Sequence, residues 1–239
     1  MFIYLITSII NSYKSILNNH CIFCLEHSKN TICILCCEAL PKLSNHCSNC
    51  AEPNYHGEIC GNCLKTPPEF DHVVSPFLYS GPIKKLIIAF KSKTNAIGSD
   101  YLINTLSLQL SEYSYDCIVP VPYHWKNLLA RGHNPVRELA KKLNVKLNIE
   151  MIDGLIREQY KPSQKTLKRK QRFRNLQGAF SLNIKVINIK YKNIKGKNIL
   201  LVDDVLTTGA TCNSAARILK KSGAKSVTVA CLARTPVKT

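Results

Sequence analysis

The apolar positions of the chain fall into short blocks of two kinds. Continuous apolar runs bounded by charge or turn residues predict buried strands, and longer stretches with apolar residues three and four apart predict helices. Strands are expected at Val73 to Tyr79, within Asp116-Cys-Ile-Val-Pro-Val-Pro122 where the prolines end the run, at Ile199-Leu-Leu-Val202 and at Ser226-Val-Thr-Val-Ala-Cys-Leu232. Helices are expected from Gly81 to Lys91 with Pro82 in the first turn, from Tyr101 to Leu110, from Trp125 to Leu143 with a break near Gly132 and Pro135, and from Thr211 to a stop at Gly223. Strand and helix alternate to Leu232, the pattern of an α/β domain built on a parallel sheet.

Two stretches lack this rhythm. Met1-Phe-Ile-Tyr-Leu-Ile-Thr-Ser-Ile-Ile10 is apolar, but it falls short of the roughly 20 residues that span a bilayer and has no positive region before it. It reads as a docking segment. No other apolar run is longer, so a soluble, cytoplasmic protein is expected. Residues 11–66 show no periodicity, and Thr66-Pro-Pro-Glu-Phe-Asp71 makes a stiff exit from them. The expected division is residues 1–66 as a small module and 67–239 as the α/β domain.

Charge narrows the partners. Thirty-three Lys and Arg against fifteen Asp and Glu give a net charge of +18, which favours nucleic acid or phosphorylated ligands. The excess is concentrated between Arg157 and Asn175, where Arg157, Lys161, Lys165, Lys168, Arg169, Lys170, Arg172 and Arg174 face one acid, Glu158. Such a segment suits a pyrophosphate or a nucleic-acid backbone, with Tyr160 and Phe173 available to stack on bases.

Nine of the twelve cysteines lie between residues 21 and 63, eight of them as the C-x2-C pairs Cys21/Cys24, Cys33/Cys36, Cys47/Cys50 and Cys60/Cys63, with Cys37 left over. Eight residues separate the first two pairs and nine the last two. Two such turns complete a closed tetrahedral thiolate site, so the segment predicts two structural Zn²⁺ ions rather than disulfides. Neighbouring pairs can share a site, or the sites can interleave. Iron–sulfur ligation uses the same donors. The metal would supply folding energy that a short, loop-rich segment lacks.

The densest motif is Ile199-Leu-Leu-Val-Asp-Asp-Val-Leu-Thr-Thr-Gly-Ala-Thr211, a buried strand, two acids, and a loop of small residues that opens a helix. Thr207, Thr208, Gly209, Ala210 and Thr211 would turn N–H groups and hydroxyls toward an anion at the positive end of that helix. Asp203 and Asp204 have the wrong charge for a phosphate. A carboxylate accepts hydrogen bonds, so the pair suits ribose hydroxyls.

This motif resembles the signature of the type I phosphoribosyltransferases, in which the acids hold the ribose of phosphoribosyl pyrophosphate (PRPP) and the loop holds its 5-phosphate. The cysteine module, Pro67-Pro-Glu-Phe-Asp71, Val119-Pro-Val-Pro122, Arg131-Gly-His-Asn134, Asn175 to Phe180, the signature and Ala233-Arg-Thr-Pro236 together resemble the ComF family over nearly the whole chain. The resemblance implies a zinc module ahead of a type I phosphoribosyltransferase-like parallel sheet with flanking helices. It also implies a link to natural competence, with single-stranded DNA handled on the cytoplasmic side of the membrane beside the DNA-uptake machinery. In that setting Mg²⁺ would accompany PRPP, and Arg131, Arg157, Arg169 and Arg172 are the candidates to contact pyrophosphate or DNA. The chain departs from the family at His133 and Pro135, where an aromatic residue and a glutamine are usual, and at Gln159 and Lys161, where arginine and threonine are common. No general base or acceptor site is evident. DNA handling, phosphoribosyl transfer to an unknown acceptor, and binding of PRPP without transfer all remain open at this level.

Overall fold

A computed structural model describes residues 19–53, 58–92, 98–123, 132–157, 179–191 and 194–236. The core is a four-stranded parallel sheet in the order β1 (His72–Val74), β8 (Ser226–Ala230), β6 (Asn198–Val202), β3 (Cys117–Pro120). All four residues of β3 are buried, as are the last four of β6 and β8. A parallel sheet covered on both faces requires this, and the requirement produces the unbroken apolar runs.

Three strands bend and continue into a second, smaller parallel sheet, ordered β2 (Phe77–Leu78), β9 (Ala233–Arg234), β7 (Val205–Leu206). The expected strand from Val73 to Tyr79 is therefore two strands in two sheets. The break falls at Ser75–Pro76, because proline brings no N–H to a ladder. The same break recurs at Cys231–Leu232 between β8 and β9 and at Asp203–Asp204 between β6 and β7. Three backbone bonds stitch it together, Asp203 N–H to Ala230 O at 3.0 Å, Leu232 N–H to Asp204 O at 3.0 Å and Cys231 N–H to Val74 O at 3.1 Å. The acid pair thus sits where the sheet changes direction.

Helices α3 (Gly81–Ser92), α4 (Ser99–Leu110) and α5 (Pro135–Leu147) lie before and after β3. The earlier part of the expected helix, from Trp125 to Arg131, falls outside the described residues, and the break expected near Gly132 and Pro135 is present, with α5 beginning at Pro135. Asn134 caps it, its side chain accepting the Arg137 N–H at 3.1 Å, and proline is favourable in the first turn where no N–H is needed. An antiparallel pair, β4 (Leu155–Arg157) and β5 (Phe180–Leu182), flanks the domain, followed by α6 (Ile184–Tyr191). Helix α7 (Ala210–Lys221) joins β6 to β8 and buries Ala210, Cys212, Ala215, Ala216 and Leu219, mostly small residues that let its axis approach the sheet. Gly209 precedes it at φ +75°, a conformation that side chains resist.

The cysteine module is an internal repeat. In each unit a C-x2-C turn folds back on itself, with Cys21 N–H to Glu26 O at 2.8 Å and Leu25 N–H to Cys21 O at 2.9 Å in the first, and Cys47 N–H to Glu52 O at 2.7 Å and Ala51 N–H to Cys47 O at 2.9 Å in the second. Leu25 and Ala51 both take the left-handed conformation that closes this turn. Each turn is followed by a short helix, α1 (Ile34–Glu38) or α2 (Gly61–Lys65), with Cys33 or Cys60 just before it and Cys36 or Cys63 inside it. The module is joined to the α/β domain by backbone bonds from Leu43 N–H to Pro76 O at 2.9 Å and from Leu78 N–H to Pro41 O at 2.8 Å. Gly98, at φ +86°, lets Ile22 of the first unit pack on the start of α4, because a Cβ there would lie 2.8 Å from the Ile22 side chain.

Candidate functional site

Two sets of groups carry chemistry, the bend at Asp203–Asp204 with the loop after it, and the cysteine units. Asp204 is buried, and both of its oxygens are engaged. Lys91, in the last turn of α3, donates to Oδ1 at 2.8 Å, and the Tyr123 hydroxyl, just beyond β3, donates to Oδ2 at 2.7 Å. Asp203 turns back on its own segment. Its Oδ1 accepts the Asp204 N–H at 2.8 Å and its Oδ2 faces the Cys212 thiol at 3.5 Å. Burial, and then the neighbouring Asp204 charge, push the Asp203 carboxyl up to about 7.

Arg157 closes the site from the end of β4. Its guanidinium lies 5.5 Å from the centre of the Phe180 ring, and its buried Nε has no hydrogen-bond partner among the described residues. Burial lowers its pKa, while the Asp203 and Tyr123 charges oppose that shift. A buried guanidinium donor with no partner among the described residues, held near the Asp203 charge, is a costly arrangement. In the loop, Thr208 Oγ1 accepts the Ala210 N–H at 3.4 Å, the Thr207 carbonyl accepts from Arg234, and Gly209 opens α7 with Ala210 and Thr211 in its first turn. On the side toward the cysteine module, a cavity of about 690 Å³ opens between this loop and α2, with Asn62, Lys65, Phe70, Asn213 and Arg217 on its walls.

Asp203, Asp204, Thr207, Thr208, Gly209, Ala210, Thr211 and Arg157 therefore belong to one region. Arg131, Arg169 and Arg172 lie outside the described residues, as do Tyr160 and Phe173. Lys91, Tyr123 and Cys212 are the site's neighbours that sequence reasoning did not single out, and Arg234 entered there only within the Ala233-Arg-Thr-Pro236 motif, with no role assigned. Of Lys91, Tyr123 and Cys212, Tyr123 carried a usable signal, since a residue just past a parallel strand's carboxyl end falls at the ligand-binding edge.

The eight paired cysteines form two groups, Cys21, Cys24, Cys33 and Cys36, and Cys47, Cys50, Cys60 and Cys63, with the sulfurs of each group within 4.8 Å of one another. Neighbouring pairs share a site, and the interleaved arrangement is excluded. Backbone donors prepare the sulfurs for ionisation. Burial opposes a thiolate at Cys21, yet N–H groups of Cys24, Cys33 and Phe23 outweigh it and bring the thiol down to about 6. At Cys47 burial is likewise overcome by the N–H groups of Cys60, Cys50 and Asn49, giving about 7. Other thiols of the same groups are pushed the opposite way. The Cys33 thiol, with burial, drives Cys36 up to about 12, and burial with the Cys47 and Cys60 charges raises Cys50 to about 11. A divalent cation removes this conflict, so each group is fit to hold one metal ion.

The family model described as "Phosphoribosyl transferase domain" matches residues 127–239. Competence protein F of Haemophilus influenzae is 32% identical over 91% of this chain and 97% of its own length. The chain belongs to the ComF family. DNA utilization protein YhgH of Escherichia coli strain K12 is a further relative, 31% identical over 85% of this chain and 90% of its own. Among solved structures, a purine phosphoribosyltransferase from Pyrococcus horikoshii Ot3 aligns with 57% of this chain and 72% of its own at 24% identity and a TM-score of 0.38. In this ComF chain the parallel sheet, the signature loop opening α7 and the two cysteine groups make a type I phosphoribosyltransferase-like domain preceded by a cysteine-rich module. Among the described residues, no helix is long and apolar enough to cross a membrane.

Proposed function

We propose that this protein handles incoming single-stranded DNA in natural competence, on the cytoplasmic side of the membrane with the uptake machinery, and that its phosphoribosyltransferase-like domain binds PRPP or a related phosphorylated ribose. The observation that carries the pocket is the acid pair at the bend of the sheet, with the Arg157 guanidinium, whose Nε has no partner among the described residues, held near Asp203. Asp203 and Asp204 take the ribose hydroxyls, residues 207–211 take the 5-phosphate, and Arg157, with Arg131, Arg169 and Arg172, takes the pyrophosphate or a DNA backbone. Mg²⁺ bound with PRPP supplies charge neutralisation at the pyrophosphate. The DNA role is supported by kinship with proteins named for competence and DNA utilization and by the +18 charge. Zinc is the metal that suits two closed four-thiolate sites.

Titration with single-stranded DNA at graded salt tests this role. Affinity should fall steeply and linearly with salt on a double-logarithmic plot, because each neutralised phosphate releases counterions. No binding at low salt would sink it. A second reading, transfer of the phosphoribosyl group to an acceptor, is favoured by Asp203, whose carboxyl exchanges its proton near neutrality. Release of pyrophosphate from PRPP in the presence of candidate acceptors distinguishes transfer from binding.

A further inference from the structure

The most deeply enclosed charge in the described chain is Arg234, 1% exposed, in β9. Its guanidinium reaches in two directions. Nε donates to the Cys50 carbonyl at 3.0 Å and one terminal nitrogen pairs with the Glu52 carboxylate, both in the C-x2-C turn of the second cysteine unit. The other terminal nitrogen donates to the carbonyls of Leu206, at 3.1 Å, Thr207 and Thr235. Leu206 ends β7 and Thr207 begins the signature loop. One rigid, planar group therefore spans a metal-ligating turn and the loop that opens α7, and its fork geometry demands that both stay in register.

The internal repeat sharpens this. The two turns have the same backbone bonds, yet Leu25 of the first is 74% exposed whereas its counterpart Ala51 is 0% exposed. Both turns touch the domain, the first through Ile22 at Gly98, but only in the second is this left-handed position enclosed, at the point where Arg234 arrives.

We propose that Arg234 is a positioning residue that couples metal occupancy of the Cys47, Cys50, Cys60, Cys63 site to the conformation of the signature loop. With the metal in place, the Cys50 carbonyl and the Glu52 carboxylate are fixed and Arg234 holds the Leu206 and Thr207 carbonyls. Without it, the turn loosens, the guanidinium loses two of its acceptors, and the loop loses its register. The consequence for ligand affinity rests on reading this loop as a phosphate cradle; the coupling itself does not.

The test is hydrogen exchange of the full-length, ligand-free protein in peptides covering residues 205–213, with peptides from β3 and β8 as internal references. Cys60→Ser, in the second site, is expected to speed exchange of the loop at least ten-fold, and Cys24→Ser, in the first site, to leave it unchanged. Arg234→Lys should speed the loop to the same extent while keeping both metals and the protection of β3 and β8, and adding Cys60→Ser to it should have no further effect. If Arg234→Lys does not fold, Glu52→Gln replaces it, with the same direction expected. Loop exchange that is unmoved by Cys60→Ser, moved equally by Cys24→Ser, or changed additively in the double variant overturns the coupling. Binding of PRPP with Mg²⁺ to the same set is measured separately, so a wild-type protein that ignores PRPP refutes the pocket and leaves the exchange result standing.

Discussion

At the residue scale the bend of the sheet concentrates opposing demands. Asp204 is an anion in a buried position, tolerable because Lys91 and Tyr123 hold both of its oxygens. Removing Lys91 leaves that charge with one neutral partner. Lys91→Met is therefore expected to lower unfolding free energy by about 3 kcal/mol, read from the denaturant midpoint, and Asp204→Asn on top of it should cost much less than it does alone. Asp203 behaves differently, because its carboxyl is held near 7 against 3.8 for the unfolded group. The folded chain keeps a proton that the unfolded chain releases, so stability falls as pH rises between about 4 and 7. Asp203→Asn does not titrate. The melting temperature of the variant should gain on the wild type between pH 5 and pH 8, and an equal difference at both would contradict the assignment. The acids were legible in the sequence because they interrupt an apolar run next to a loop of small residues. Lys91 was not, since nothing local connects the last turn of a helix with a carboxylate 113 positions further on.

At the element scale, legibility followed burial. Strands β3, β6 and β8 are enclosed on both faces, and full burial leaves a continuous apolar run that cannot be mistaken for a surface strand. The division of Val73 to Tyr79 into β1 and β2 was hidden, because a bend keeps the composition and changes only which sheet receives the N–H groups. The start of α5 was legible, because Gly132 and Pro135 mark a break there. The Asn134 cap fixes the first turn. Asn134→Ala should destabilise the protein by about 1 kcal/mol, measurable by chemical denaturation, with little effect on DNA or PRPP binding. The cysteine pairs were readable from spacing alone, whereas the choice between neighbouring and interleaved sites depended on how each turn and its following helix fold together.

At the scale of the whole molecule, the cysteine units are attached to the α/β domain at separate points. The first docks through Ile22 at Gly98, the second through Arg234, and the chain between them pairs with β2. Metal analysis of the purified protein should find two zinc ions per chain, with one lost in Cys24→Ser. Chelation should lower the melting temperature, since metal-site energy is folding energy in so small a module. One ion or none would refute the two-site reading. The cysteine repeat and the signature loop were legible because both are dense, local patterns. The attachment of one to the other was not, because it joins residues far apart in the chain, Ile22 with Gly98 and Arg234 with Cys50 and Glu52. The central claim is that the bend at Asp203–Asp204 is a ribose-phosphate site, and calorimetric titration of the full-length protein with PRPP and Mg²⁺ tests it most directly. Saturable binding by the wild type, weakened at least ten-fold in a folded Asp203→Asn variant, is the result predicted; no binding by the wild type, or equal binding by the variant, would contradict it.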